Sequence, residues 1–177
     1  MKKIAVIMLA LLLLAGCNKN NTRQLDEERF ETYKILYKNI LTEENKLTKS
    51  QNYDVELVVN KIGDELYRYD VIIDNPRVVM YAVKALAVID DLSDEINTEI
   101  MMPSIGILDE NRKNMMPYFV NAENEFVDGI ILSLTSNSPQ ARVGVMVEYI
   151  DSSRINSNRE YLTLFAAYSP EEVTPNE

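Results

Sequence analysis

The run Tyr67-Arg68-Tyr69-Asp70-Val71-Ile72-Ile73-Asp74-Asn75-Pro76, continued by Val78-Val79-Met80-Tyr81-Ala82-Val83-Lys84-Ala85-Leu86-Ala87-Val88-Ile89, decides the fold class. In its first half, Tyr67, Tyr69, Val71 and Ile73 recur at every second position, with Arg68 and Asp70 between them. A period of two places one set on each face of an extended strand. Asn75-Pro76 ends that strand, because Asn favours turns and Pro cannot donate to a ladder. In the second half Val79, Tyr81, Val83, Ala85, Ala87 and Ile89 share a face, and Lys84 is the only charge before Asp90. A strand that is apolar on both faces belongs in the middle of a sheet, covered on both sides.

The same period extends in both directions. Upstream, Val55, Leu57 and Val59 alternate, and Gly63-Asp64 is a turn signal. Downstream, Ser104–Leu108 and Met115–Val120 read as short strands joined by the polar turn 109–114. Pro103 and Pro117 mark these two as edge strands. Phe126–Thr135 carries Ile130, Leu132 and Leu134 on one face. After the turn Ser136-Asn137-Ser138-Pro139, Val143, Val145, Val147 and Tyr149 form the next strand. Residues 152–158 read as a loop, and Tyr161, Thr163, Phe165 and Ala167, with Leu162 and Leu164 opposite, as the last strand.

Only residues 25–47 break the pattern. There Leu25, Phe30, Tyr33, Leu36, Tyr37, Ile40, Leu41 and Leu47 fall within an arc of about 160° at helical spacing. Ile35 is the one apolar residue outside it. A stripe that wide predicts packing on a sheet of the same domain; docking to a partner is the alternative. One helix before about seven or eight short strands predicts a mainly β domain, an antiparallel immunoglobulin-like β-sandwich with one N-terminal amphipathic α-helix. A barrel with the helix across its mouth is the rival. The domain is expected over 25–168, with an acidic, proline-containing tail at 169–177.

The N-terminus carries a different signal. Lys2-Lys3 precedes the unbroken apolar run Ile4–Leu14, then Ala15-Gly16-Cys17 and the polar stretch 18–24. A positive start, a short apolar core and small residues make a secretory signal. The run falls short of the roughly 20 residues a spanning helix requires. Leu14-Ala15-Gly16-Cys17 resembles the lipobox of bacterial prolipoproteins. The resemblance covers residues 1–17 and implies a diacylglyceryl group on the Cys17 sulfur, with cleavage between Gly16 and Cys17. The chain would then be extracytoplasmic and lipid-anchored to the cell membrane, with residues 17–24 as lipidated Cys and tether. The Lys/Asn/Ile-rich, Cys-poor composition favours the outer face of a single-membrane bacterium. Cys17 is the only cysteine, so it has no partner for an internal disulfide.

Composition narrows the function. The formal charge is −10, and losing Lys2 and Lys3 takes it to −12. Such a chain is repelled by phosphate backbones and anionic headgroups, which disfavours nucleic acid as a partner. There is no His, hence none of the commonest general base or metal ligand. Phosphate-loop, dinucleotide and nucleophile-elbow motifs are absent, and no cofactor is expected.

Three groups invite a site reading. Asp90, Asp91, Asp94 and Glu95 offer oxygen ligands to Ca²⁺ but lack the order of a calcium loop; a solvated turn is the plainer reading. Met101-Met102-Pro103 and Met115-Met116-Pro117 repeat a tripeptide. If exposed together, Met101, Met102, Met115 and Met116 would form a soft partner surface; otherwise they fill the core. Tyr67, Tyr69, Tyr81, Tyr149 and Tyr161 suit a core rim or a binding face. Carboxylates are plentiful, yet Glu56, Asp70, Asp128 and Glu148 each read as the outward member of an alternating strand. The expectation is a non-enzymatic interaction module, with an envelope protein or wall polymer as partner. Its rivals are a ligand-capturing lipoprotein with a pocket between helix and sheet, and a carboxylate-dependent envelope hydrolase.

Overall fold

A computed structural model of the chain describes residues 17–89, 101–109 and 112–170. The apolar run becomes strand β3 (Met80–Ile89), interior to a five-stranded antiparallel sheet. On one side it pairs with β7 (Gln140–Ile150), which pairs with β8 (Ser157–Ala167). Its other side takes two short strands in succession, β4 (Ser104–Ile105) and β5 (Lys113–Met115). Between these two, Gly106 sits at φ 68°, and an added Cβ would lie 2.8 Å from the Val83 carbonyl oxygen. Only a residue without a Cβ fits that approach. The second sheet has three strands in the order β1 (Asp54–Gly63), β2 (Leu66–Asp74), β6 (Gly129–Ser136), all antiparallel.

The chain is therefore mainly β, and its sheets face each other as in a β-sandwich. Tyr69, Val71 and Ile73 of β2 meet Val83, Ala85, Ala87, Val143, Val145 and Val147 in one buried cluster, with Ile130, Leu132 and Leu134 of β6. The opposite face of the five-stranded sheet is covered by helix α1 (Cys17–Thr42). There Tyr33, Leu36, Tyr37 and Ile40 cluster with Leu86, Val88, Ile107 and Met146. This explains the uniform hydrophobicity of β3. Val83, Ala85 and Ala87 face the second sheet, while Leu86 and Val88 face the helix. Four buried helix side chains at about 1.5–3 kcal/mol each outweigh the marginal stability of an isolated helix.

Four expectations are corrected. The helix expected over 25–47 begins at Cys17 and takes in residues 18–24, expected as the tether. The helix also stops at Thr42, short of Leu47. Leu47 leaves it to cap the edge of β8: its N–H donates to the Tyr161 carbonyl at 2.8 Å, and Thr163 N–H donates to its carbonyl at 2.8 Å. Covering an open strand edge satisfies groups that an extra helical turn would leave bare. In β3 the inward phase slips. A bulge between Tyr81 and Lys84 buries Met80 and leaves Tyr81 half-exposed, reversing the expected order at that end. Finally, the strand expected at 115–120 lies at 113–115, and 118–120 are exposed.

On the helix-facing side, Glu148 bridges three strands. Lys84 Nζ donates to its Oε1 at 2.8 Å, and Arg159 Nε donates to its Oε2 at 2.7 Å. Burial alone would raise the Glu148 pKa, but the two cations outweigh it and hold the carboxyl below its ordinary value. A lowered native pKa stabilises the fold above the ordinary carboxylate range, and that stability is lost as pH falls through the native value. We expect the wild-type unfolding midpoint to drop between about pH 5 and pH 3. Glu148→Gln should be less stable at neutral pH and flatten that drop in a urea titration series. An unchanged acid slope would remove Glu148 from the account.

Candidate functional site

At one end of the sandwich lie the β2–β3, β5–β6 and β7–β8 connections, beside the start of β3. All five positive-φ non-glycine residues among the described residues fall there: Asn75 (46°), Ala82 (50°), Tyr118 (57°), Glu125 (59°) and Arg154 (59°). Each costs on the order of 1–2 kcal/mol outside glycine, so their concentration needs a scaffold that imposes it.

Asn114 is the centre of that scaffold. Its side-chain oxygen accepts from the Ala82 N–H at 2.9 Å, pinning the β3 bulge. Its backbone N–H donates to the Glu125 carbonyl at 2.9 Å, and its carbonyl accepts from Val127 N–H at 2.9 Å. One residue thus ties the bulge to the 3-10 turn Ala122–Asn124 and the chain beyond it. Asn114→Ala leaves the Ala82 N–H without its acceptor, and we expect a loss of about 1–3 kcal/mol. Hydrogen exchange should rise at 118–126 more than in β7. Uniform exchange across both would contradict this role.

The frame carries an aromatic row. The Arg154 guanidinium sits 4.5 Å from the Tyr81 ring centroid, within cation–π range. Tyr81 meets Phe126 edge-on at 6.1 Å, and Phe126 meets Phe119 at 5.3 Å. Beyond the row project a fully exposed Tyr118 and exposed Phe119, Val120 and Ile155. Two open grooves flank Phe119. One, of about 560 Å³, is bordered by Arg77, Met116, Tyr118 and Asp128; the other, of about 510 Å³, by Tyr81, Asn114, Phe126 and Arg154.

No family model, curated protein or solved structure matches this chain. The site is therefore read from its own residues.

The sequence-derived candidates fall as follows. Asp90, Asp91, Asp94 and Glu95 lie outside the described residues. Among those described, no group of three or more acidic, Cys or His residues is placed to hold a metal ion. Met115 is fully buried, Met102 packs into the core, Met116 is half-buried and Met101 is exposed, so the four make no common surface. Tyr69 and Tyr149 are buried, and the Tyr69 hydroxyl donates to the Ser138 carbonyl at 2.7 Å. Tyr81 is the strand tyrosine brought to the loop end. Glu56 is exposed; Asp70 is bonded to Arg68 and Ser133; Asp128 borders the larger groove. Cys17 is the first residue of α1.

Beneath the helix the packing is filled. A Cβ on Gly144 would lie 2.5 Å from the Ile40 Cγ2 methyl. The Tyr33 hydroxyl accepts from Met102 N–H at 2.9 Å. Beside the first half of α1 runs a groove of about 490 Å³, but Glu28, Arg29, Lys84, Asp109 and Arg112 border it. Those charges are unlike the apolar, Tyr- and Met-rich cleft a captured ligand was expected to occupy. The carboxylates with clear pKa shifts among the described residues are all lowered. An Arg77 hydrogen bond lowers Asp54, and Ser153 and Asn156 lower Asp151; in Glu148 the paired cations overcome burial.

Proposed function

We propose that the chain is an extracytoplasmic, lipid-anchored, non-enzymatic interaction module of immunoglobulin-like plan, working through its loop end. The carrying observation is the uncharged run Met116-Pro117-Tyr118-Phe119-Val120, whose last three residues are exposed on a rigidly bonded, locally strained frame. Contiguous exposed apolar and aromatic residues mark contact sites, where singly scattered ones do not. A general acid needs a raised carboxyl pKa, and the resolved shifts run the other way.

The immunoglobulin-like plan is supported by strand order. The first, second and sixth strands form one sheet; the third, seventh and eighth form the other, with two short strands on the free side of the third. In constant-type domains the first two strands are likewise neighbours in one sheet, and the third strand and the last two make up the facing sheet, as β3, β7 and β8 do here. Anchoring is supported by the lipobox Leu14-Ala15-Gly16-Cys17. Among the described residues no helix is long and apolar enough to cross a membrane.

Photo-reactive residues placed at Val120 and, separately, at Ile131 on the outer face of the three-stranded sheet test the reading in living cells. Irradiation is expected to join Val120 to an envelope component and leave Ile131 largely unreacted. Equal labelling at both positions would remove the loop end as the working surface. Hydrolysis of a glycan or peptide by the purified chain, lost on one carboxylate substitution, would overturn the non-enzymatic reading.

A further inference from the structure

The direction of α1 says where the loop end sits relative to the anchor. Ile40 lies over Gly144, which pairs with Val88, while Leu25, Glu28 and Thr32 line one groove with Lys84, which pairs with Glu148. Moving towards the helix N-terminus is therefore moving towards the start of β3 and the β7–β8 turn. From Leu25 back to Cys17 the helix advances about 12 Å. From Lys84 back to Met80 the strand advances about 13 Å. Met80 pairs with Met115, and the exposed loop follows at once. Cys17 and Tyr118 thus lie towards the same end of the sandwich, the helix crossing obliquely from β7 at Ile40 to the β4 side of β3, where the Tyr33 hydroxyl meets Met102.

We propose that the loop Met116–Val120 seats in the headgroup boundary of the same bilayer that the lipid on Cys17 enters, as a second membrane contact. This rests on the lipid-anchored reading above. The chemistry fits an interface: Tyr118 is amphipathic, Phe119 and Val120 are apolar, and none of the five residues is charged. Among the described residues the far-end turns Asp64-Glu65 and Asn137-Ser138-Pro139 are polar, and exposed Ile62 and Leu66 flank the first of them without an exposed aromatic next to them in sequence. Glu123 and Glu125 follow the loop and the chain is acidic, so the contact is apolar and should favour zwitterionic over anionic headgroups. Two contacts at one end would hold the sandwich upright, with its polar turns away from the membrane.

The chain has no tryptophan, so one introduced indole reports alone. The lipidated chain carrying Tyr118→Trp, or Ile62→Trp at the far end, would be reconstituted in phosphatidylcholine vesicles with brominated acyl chains. Expected is blue-shifted, bromine-quenched emission from Tyr118→Trp and unquenched emission from Ile62→Trp. Adding Phe119→Ser and Val120→Ser to the first variant should abolish quenching while the protein still sediments with vesicles. Sedimenting protein with an unquenched Tyr118→Trp overturns the second contact and leaves the anchor standing; the loop would then meet a protein. Equal quenching at both ends overturns the orientation. Failure of the lipidated chain to sediment overturns the anchor and this proposal together.

Discussion

Gly144→Val is expected to lift α1 from the sheet and cost about 3 kcal/mol or more in a urea unfolding experiment. Gly144 lies on the helix-facing side of β7, where a Cβ would come within 2.5 Å of Ile40 Cγ2. Ile40 is fully buried, and its β-branched side chain is stiff on a helix. It cannot swing clear without moving the helix. That movement would expose Tyr33, Leu36 and Tyr37 together with Leu86, Val88 and Met146 beneath them. Valine adds two further methyls to the clash, so Gly144→Ala should be the milder of the two, at about 1–3 kcal/mol. The near-ultraviolet dichroism of Tyr33 and Tyr37 should weaken in step with stability. A Gly144→Val chain within about 0.5 kcal/mol of wild type would mean that the helix does not seat there.

Cys17→Ser is expected to release the chain from the membrane fraction or to leave it as uncleaved precursor. Each buried CH₂ contributes about 0.8 kcal/mol, and two acyl chains suffice for stable anchoring where one is marginal. A loop of three exposed residues is small beside that, and the net charge of −10 opposes electrostatic adhesion to anionic lipid. The loop contact orients the domain; the acyl chains hold it. Fractionation of cells should find wild type in membranes and Cys17→Ser in the soluble fraction or as uncleaved precursor. Firm retention of a cleaved Cys17→Ser chain would show attachment by another route.

Much of this architecture was legible in residue order because burial has a period. Ile130, Leu132 and Leu134 are buried as their alternation predicts, and Tyr33, Leu36, Tyr37 and Ile40 are buried as their helical arc predicts. Ile35, the apolar outlier, is exposed. What escaped depends on contacts remote in sequence. Asn114 reads as one more polar turn residue, yet its role arises from a bulge 32 positions away. The bulge itself gives no local sign beyond a small residue, Ala82, within a bulky run. Leu47 fits the helical arc perfectly well by angle and was lost to it because the edge of β8 needed covering. Glu148 looked like a solvent-facing strand residue because α1 packs on that face only in three dimensions.

The candidate surface was half legible. The Met-Met-Pro repeat drew the eye to 115–117, but burial of Met115 opposite Met80 turns the contact residues into the three that follow. No periodic signal distinguishes an exposed Tyr118-Phe119-Val120 from a short strand. Only the end of pairing at Met115 does so.

Whether lipid holds this domain at the membrane is decided at the N-terminus of the mature chain. Mass spectrometry of protein extracted from membranes should find a chain beginning at Cys17 whose first residue carries a diacylglyceryl thioether. A mature chain that begins at another residue, with an unmodified Cys17 or none, would contradict the lipid anchor.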